Sequence, residues 1–312
     1  KTWNGEWWKL GGGGTVWNSI VYDPEFDTVY LGVGNGAPWP RDIRAPGGGD
    51  NLFLTAIVAV DSATGRMKWH YQTVPGDNWD YSSAMDMTLA DLEVDGTMRK
   101  VIMQAPKNGF FYVIDRTNGE LLRAHPYGAV NWATHVDMDT GRPVENTDKY
   151  YEDNPQWVLP GAGGAHNWQG MSYDADRAVM YIPTHDAPYF YALSEEFAKT
   201  GIFKMNPVGQ SFGLAIGAYR EKLVRDAGPI PSSKGQLKAF DPLTGETKWA
   251  VDNEIGYGNS GVLATAGGVI FQGDGTGHIY AYDTDNGDEL WRYETHGYVS
   301  ANPITYEVDG AQ

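Results

Sequence analysis

The sequence predicts an all-β fold, specifically a β-propeller, from composition, repetition and period. Across 312 residues it carries 40 Gly, 17 Pro, 12 Trp and 19 Tyr, the make-up of many short strands joined by turns with large aromatics filling the layers between sheets. Four segments repeat one pattern: Ala59-Val60-Asp61-Ser62-Ala63-Thr64-Gly65, Val113-Ile114-Asp115-Arg116-Thr117-Asn118-Gly119, Ala239-Phe240-Asp241-Pro242-Leu243-Thr244-Gly245 and Ala281-Tyr282-Asp283-Thr284-Asp285-Asn286-Gly287. Trp69, Trp249 and Trp291 stand four positions after the Gly in three of them, and Arg123 in the fourth. The Asp positions lie 54 apart for 61 and 115 and 42 apart for 241 and 283, close to the ~40 to 50 residues of a four-stranded blade.

Each repeat has a physical reading. An apolar strand runs into an Asp that accepts backbone N–H groups within the turn, Gly supplies positive φ, and the chain reverses into a second strand. A Trp at fixed spacing then docks one unit on the next. Two weaker units share the strand-turn-strand form, Val21-Tyr22-Asp23-Pro24 before Tyr30-Leu31 and Ser172-Tyr173-Asp174 before Met180-Tyr181-Ile182. Together they predict about six blades, some incomplete, within a single partial domain spanning 1–312.

Long insertions interrupt the repeat at 38–50, 146–164 and 191–233, where binding and catalysis concentrate in compact repeat folds. The last contains a short helix candidate, Ser194 to Lys199. Its Gly-rich run, Gly213 to Gly217, reads as a flexible turn rather than a phosphate cradle, since no Gly-Lys-Ser follows.

Composition also excludes function classes. A formal charge of -17 without a Lys/Arg run argues against a nucleic-acid partner. With no Cys, the chain has no disulfide, thiolate metal site or attached c-type haem of its own. No apolar run approaches the ~20 residues that cross a bilayer, and Lys1-Thr2-Trp3-Asn4-Gly5 lacks the pattern of a signal peptide.

The candidate site centres on Pro75-Gly76-Asp77-Asn78-Trp79-Asp80-Tyr81-Ser82-Ser83. A carboxylate between two large aromatics is poorly solvated, which raises its pKa unless a cation pulls it down again. Equally, Asp80 could serve as a turn cap while Trp79 and Tyr81 pack in the core.

Six motifs occur in order: Gly11-Gly12-Gly13-Gly14-Thr15-Val16-Trp17, Gly32-Val33-Gly34-Asn35-Gly36-Ala37-Pro38-Trp39, Gly49-Asp50-Asn51, Trp79-Asp80-Tyr81, Ala105-Pro106-Lys107-Asn108-Gly109-Phe110-Phe111 and Ala165-His166-Asn167-Trp168. With the Trp repeats, they resemble the quinoprotein alcohol dehydrogenases that use pyrroloquinoline quinone (PQQ), especially the quinohaemoprotein ethanol dehydrogenase branch. The resemblance implies a propeller of about eight blades holding PQQ and Ca²⁺ on its axis, and oxidation of a primary alcohol to an aldehyde. It also implies periplasmic location and a cytochrome c electron acceptor.

Residue by residue, the resemblance makes Trp17 the floor under the quinone and places Thr15 by a cofactor carboxylate. It makes Asn35 a metal ligand and Asp80 both metal neighbour and catalytic base. Lys107 is then the partner of the quinone oxygens, and Asn167 with Trp168 the far-side contacts. Taken singly, Trp17 and Trp168 would read as core aromatics, Asn35 as a turn residue, Lys107 as a solvated hairpin lysine and His166 as an ordinary histidine. Ser82 stands where lanthanide-dependent relatives carry a further Asp, which favours Ca²⁺. Gly258 replaces a Trp that relatives often place beside Asn259, weakening a cofactor role there.

The family's upstream Glu, Arg and paired cysteines have no counterpart, Asn302 to Tyr306 opens a blade left unfinished at Gln312, and no haem-binding Cys-x-x-Cys-His follows. The expectation is therefore an interior segment of a longer polypeptide, with any haem c in a C-terminal domain. Two other readings stay open: a PQQ enzyme for a polymeric or cyclic alcohol or a sugar, and a non-catalytic quinoprotein-like scaffold.

Overall fold

In the computed structural model, residues 2–204, 212–253 and 259–310 are described. They form four four-stranded antiparallel sheets whose strands follow one another in chain order, with a short strand of another sheet intervening in two of them, together with three two-stranded ribbons. The first sheet comprises Ile20–Asp23, Thr28–Gly32, Ala56–Asp61 and Met67–Gln72, and the second Met87–Val94, Thr97–Gln104, Phe110–Asp115 and Leu121–Pro126. The third is Ser172–Asp174, Val179–Asp186, Lys234–Phe240 and Thr247–Asn253, and the fourth Val262–Ala264, Val269–Gly273, His278–Asp283 and Glu289–Glu294.

The two weaker sequence units are therefore not separate blades. Ile20–Gly32 is the first hairpin of the sheet that ends in the Asp61 repeat, and Ser172–Asp186 the first hairpin of the sheet that ends in the Asp241 repeat. Six strand-turn-strand signals resolve into four sheets among the described residues because a hairpin and its continuation past a long insertion look independent in sequence.

The repeat turns form as their chemistry dictates. In each, the leading Asp accepts a backbone N–H two or three residues on, at Thr64, Thr117, Leu243 and Asp285, over 2.7–2.9 Å. Two of the three repeat Trp residues lock onto the next sheet's turn, whereas Trp291 is 48 % exposed. Trp69 Nε1 donates to Arg116 O at 3.1 Å and Trp249 Nε1 to Thr284 O at 3.0 Å. Their indoles lie so close to Gly119 and Gly287 that a Cβ there would come within 2.8 and 2.7 Å. Tyr30 and Tyr181 donate to the same two carbonyls.

Between the second and third sheets the lock is His125 rather than Arg123. Its Nε2 lies 2.9 Å from Leu243 O and its ring covers Gly245. The register shift between Leu121 and Arg123 recurs in the other three repeats, so Arg123 holds the register position of the Trp residues but pairs with Asp95 instead. Apolar clusters fill the layers between successive sheets, the largest containing Trp69, Trp79, Tyr81, Tyr112 and Trp132.

The expected helix appears as Glu195–Thr200, capped by Ser194 and closed by Gly201 at φ 67°. The Gly-rich run is not a free turn: Leu214 pairs with Leu193, and Gly217 opens a helix to Asp226. Tyr219, Leu223 and Val224 of that helix pack on Phe190, Ala192 and Ala215, a helical spacing inside an insertion that had no repeat to mark it. The insertions at 38–50 and 191–233 meet, with Phe212 against Trp39 (ring centroids 4.6 Å apart) and Trp39 N donating to Phe212 O at 3.0 Å.

Candidate active site

The turn carrying Asp80 is built by its neighbour Asp77, which the sequence reading passed over. After the strand Met67–Gln72 the chain reverses at Pro75-Gly76, and the fully buried Asp77 accepts through Oδ1 from Trp79 N at 3.1 Å and Tyr81 N at 3.2 Å. Those two bonds hold Asp80 between them at φ 67°, a conformation that costs a non-glycine residue energy and persists only where surroundings impose it. An Asp that bonds backbone two residues on is an Asx turn, the one signal that could have identified it. Trp79 and Tyr81 are themselves core residues behind the site.

A second unanticipated residue secures that turn. Arg44, 1 % exposed, donates to Asn51 Oδ1 at 3.0 Å, Pro38 O at 2.7 Å and Trp39 O at 2.9 Å, and also to Asp77 O. Burial pushes its guanidinium down from the usual arginine range while Asp77 beside it pulls the other way. Burial likewise raises the Asp77 carboxyl, opposed first by Arg44.

Lys107 reaches Asp80 from the loop after Thr97–Gln104. Its Nζ donates to Asp80 Oδ2 at 3.0 Å and to Asp80 O at 3.1 Å, with the two side chains only 9 % and 16 % exposed. It is thus a buried partner of the carboxylate and not a solvated hairpin lysine. Gly164, at φ +81°, makes room: a Cβ there would lie 2.5 Å from Lys107 Cγ.

Desolvation raises the Asp80 carboxyl to about 7, and the Lys107 charge and hydrogen bond, then Asn35, pull against it, while Asp77 adds to the rise. Burial and a cation thus act together, and burial dominates. Asn35 Oδ1 also accepts from Ser82 Oγ at 3.3 Å. Asn35, Asp80, Ser82 and Lys107, spread over 73 positions of chain, therefore share one polar cluster.

Trp17 lies along Gly34, beside Asn35: a Cβ on Gly34 would be 3.3 Å from the indole and 2.9 Å from Thr15 O. Thr15 contributes that carbonyl to Gly34 N at 3.0 Å, and its side chain is exposed. Trp17 and Trp168 remain 43 % and 39 % exposed, whereas Trp79 and Trp132 are fully buried, so neither is a core aromatic. Asn167 is buried, closing its own loop by donating to Gly163 O at 2.7 Å and accepting from Trp168 N at 2.9 Å.

Asn259 was discounted because of Gly258, which lies outside the described residues. Asn259 is 1 % exposed, and neither atom of its amide has a hydrogen-bond partner among the described residues. Its neighbour Gly261 shares Asn302 Oδ1 with Gly170 N, at 3.0 and 3.3 Å, which places this loop beside the end of the Trp168 loop. An unsatisfied buried amide is costly. No group of three or more His, Cys, Asp or Glu able to hold a metal occurs among the described residues.

A propeller of docked four-stranded sheets defines the class of the quinoprotein dehydrogenases. The chain belongs to the family described as PQQ: Glucose/ethanol/alcohol dehydrogenase, beta-propeller domain, which it matches over residues 1–131 and 141–312. It is 45 % identical over 315 residues to the quinohemoprotein alcohol dehydrogenase ADH IIB of Pseudomonas putida, a match covering 100 % of this chain and 44 % of that protein. The crystal structure of the quinohemoprotein alcohol dehydrogenase from Comamonas testosteroni superposes with a TM-score of 0.90 at 40 % identity, covering 99 % of this chain and 45 % of that one. A europium-containing methanol dehydrogenase superposes at 0.83 with 30 % identity, over 100 % of this chain and 52 % of that one. The chain spans less than half the length of the curated relatives it matches.

Proposed function

We propose that this chain forms the catalytic core of a PQQ- and calcium-dependent dehydrogenase that oxidises a primary alcohol to an aldehyde and passes electrons to a cytochrome c in the periplasm. The observation that carries the reading is the convergence of Asn35, Asp80 and Lys107 in one buried cluster.

The residues fit the cofactor. The unsatisfied Asn259 amide and the partly bare faces of Trp17 and Trp168 offer polar and stacking contacts to a planar heterocycle. For Ca²⁺ the oxygens of Asn35 and Asp80 are suitable ligands, but a calcium shell takes about six to eight, so other donors would complete it. Ser82, in place of a further carboxylate, keeps the local charge suited to a divalent ion. When bound, the quinone supplies the two-electron acceptor and the cation a Lewis acid that polarises it.

The chain's own residues have separable tasks. Asp80 takes the hydroxyl proton of the alcohol; burial raises its carboxyl and so favours proton acceptance, and a cation bound beside it would draw it down again. Lys107 keeps positive charge beside that carboxylate and where negative charge develops. Trp17, Thr15, Asn167 and Trp168 bind and orient. The insertions at 38–50 and 191–233, packed on each other, form the wall that would choose between small, cyclic or polymeric alcohols and sugars. A passive scaffold has no use for a desolvated ion pair, which is weak as a stabiliser.

The test is dye reduction by the full-length protein, reconstituted with PQQ and Ca²⁺, across a panel of alcohols. An Asp80→Asn variant is expected to lose about 10²- to 10⁴-fold in kcat. Normal turnover by that variant removes Asp80 as the base.

A further inference from the structure

The Ala165-His166-Asn167-Trp168 motif contains one side chain with no part in the function above. His166 is wholly buried, with Nδ1 2.8 Å from the carbonyl oxygen of Ala105 and Nε2 2.5 Å from that of Gln169. Neutral imidazole has one N–H and one lone pair, and a carbonyl oxygen only accepts. A neutral ring would therefore turn its lone pair on a carbonyl oxygen at one of these contacts, in either tautomer. Both contacts are satisfied only when both nitrogens donate.

The matching negative charge is present. Asp86, its side chain 31 % exposed, keeps Oδ1 buried without a hydrogen-bond partner among the described residues and 3.9 Å from His166 Nε2, while Oδ2 accepts from Met171 N at 2.9 Å. Burial pushes the Asp86 carboxyl up, and His166 is the first influence pulling it down. The other titratable side chains on segments packed here are Lys107, whose carbonyl accepts from Ala165 N, and His185, whose N–H donates to Ala165 O. Ala105 lies two residues before Lys107, and Gln169 directly follows Trp168. The ring thus ties the Lys107 loop to the Trp168 loop.

We infer that His166 is held as an imidazolium against the partly buried Asp86 carboxylate, and that this charged clamp positions the Trp168 loop against the Lys107 loop. Its value is register rather than stability: a buried ion pair gains little over apolar packing, yet losing one partner is expensive, which makes alternative loop arrangements unfavourable. What the clamp positions for, quinone binding, rests on the function proposed above; its charge state does not.

Neutron diffraction from full-length crystals exchanged into D₂O at about pH 7.5, above the ordinary histidine range, tests the charge. Deuterons on both His166 nitrogens and none on Asp86 are expected; one nitrogen bare, or a deuteron on Asp86, overturns the assignment. Equilibrium titration of PQQ into the cofactor-free full-length protein tests the positioning. Asp86→Asn should weaken quinone binding by about 10- to 100-fold, as loss of an orienting partner commonly does for metal sites, and Asp86→Glu should recover most of it. Binding by Asp86→Asn within twofold of the parent overturns the positioning role, and a variant that does not fold leaves the neutron result decisive. If the parent itself binds no quinone, the proposed function fails while the deuteron positions still judge His166.

Discussion

Asp80 concentrates the conflict between folding and chemistry. Its carboxyl is raised from an ordinary 3.8 to about 7, chiefly by burial. A raised acid binds more protons folded than unfolded, so its contribution to stability is complete below about 4 and is lost as pH rises through about 7. In chelator-treated full-length protein, the unfolding midpoint should therefore fall over that window more steeply than in Asp80→Asn. The difference should amount to the order of a few kcal/mol at neutral pH. Parallel curves for the two proteins would contradict the assigned burial. Lys107→Met removes the first influence that lowers this carboxyl, so the acidic limb of the rate profile should move to higher pH. An unmoved limb would mean that the ammonium does not act on Asp80 during turnover.

Elements decide whether these residues can meet. The Asx turn built by Asp77 makes a sharp prediction, because an amide can accept the same two N–H bonds and an alanine cannot. Asp77→Asn should keep kcat within about an order of magnitude, whereas Asp77→Ala should lose about 10²-fold through misplacement of Asp80. Equal losses would show that the charge of Asp77, not its bonds, is what matters. The Trp locks belong to the same scale. Trp69→Ala should cost about 3–5 kcal/mol, read from thermal or denaturant unfolding, since it empties a buried position between the first two sheets.

Across the whole molecule, the propeller class was legible because Asp, Gly and Trp recur at fixed offsets that turn chemistry and inter-sheet docking require. The number of sheets was less so, since Val21 to Leu31 and Ser172 to Ile182 read as separate units until pairing joined each to a strand beyond an insertion. The His125 lock was hidden because the strand pairs in the same register as in the other repeats while the docking side chain comes from two residues further on, which the repeat spacing does not mark. At the site, Asn35, Asp80 and Lys107 were recognisable through the motifs they sit in. Arg44 and Asp86 were not, because a buried charge satisfied by backbone carbonyls or by one distant histidine leaves no periodic trace. Asn259 is buried with an unpartnered amide among the described residues, a feature that the departure at Gly258 gives no hint of in sequence.

Arg44 directs its guanidinium to the carbonyls of Pro38, Trp39 and Asp77 and to the Asn51 amide, so the rim formed by 38–50 and the turn that carries Asp80 hang from a single peg. New substrate preferences can therefore arise by rewriting the tip of that rim, Pro46 to Gly49, leaving the peg and its acceptors untouched. Grafting the whole of 38–50 from a relative that lacks the peg should instead disturb turnover of every alcohol alike.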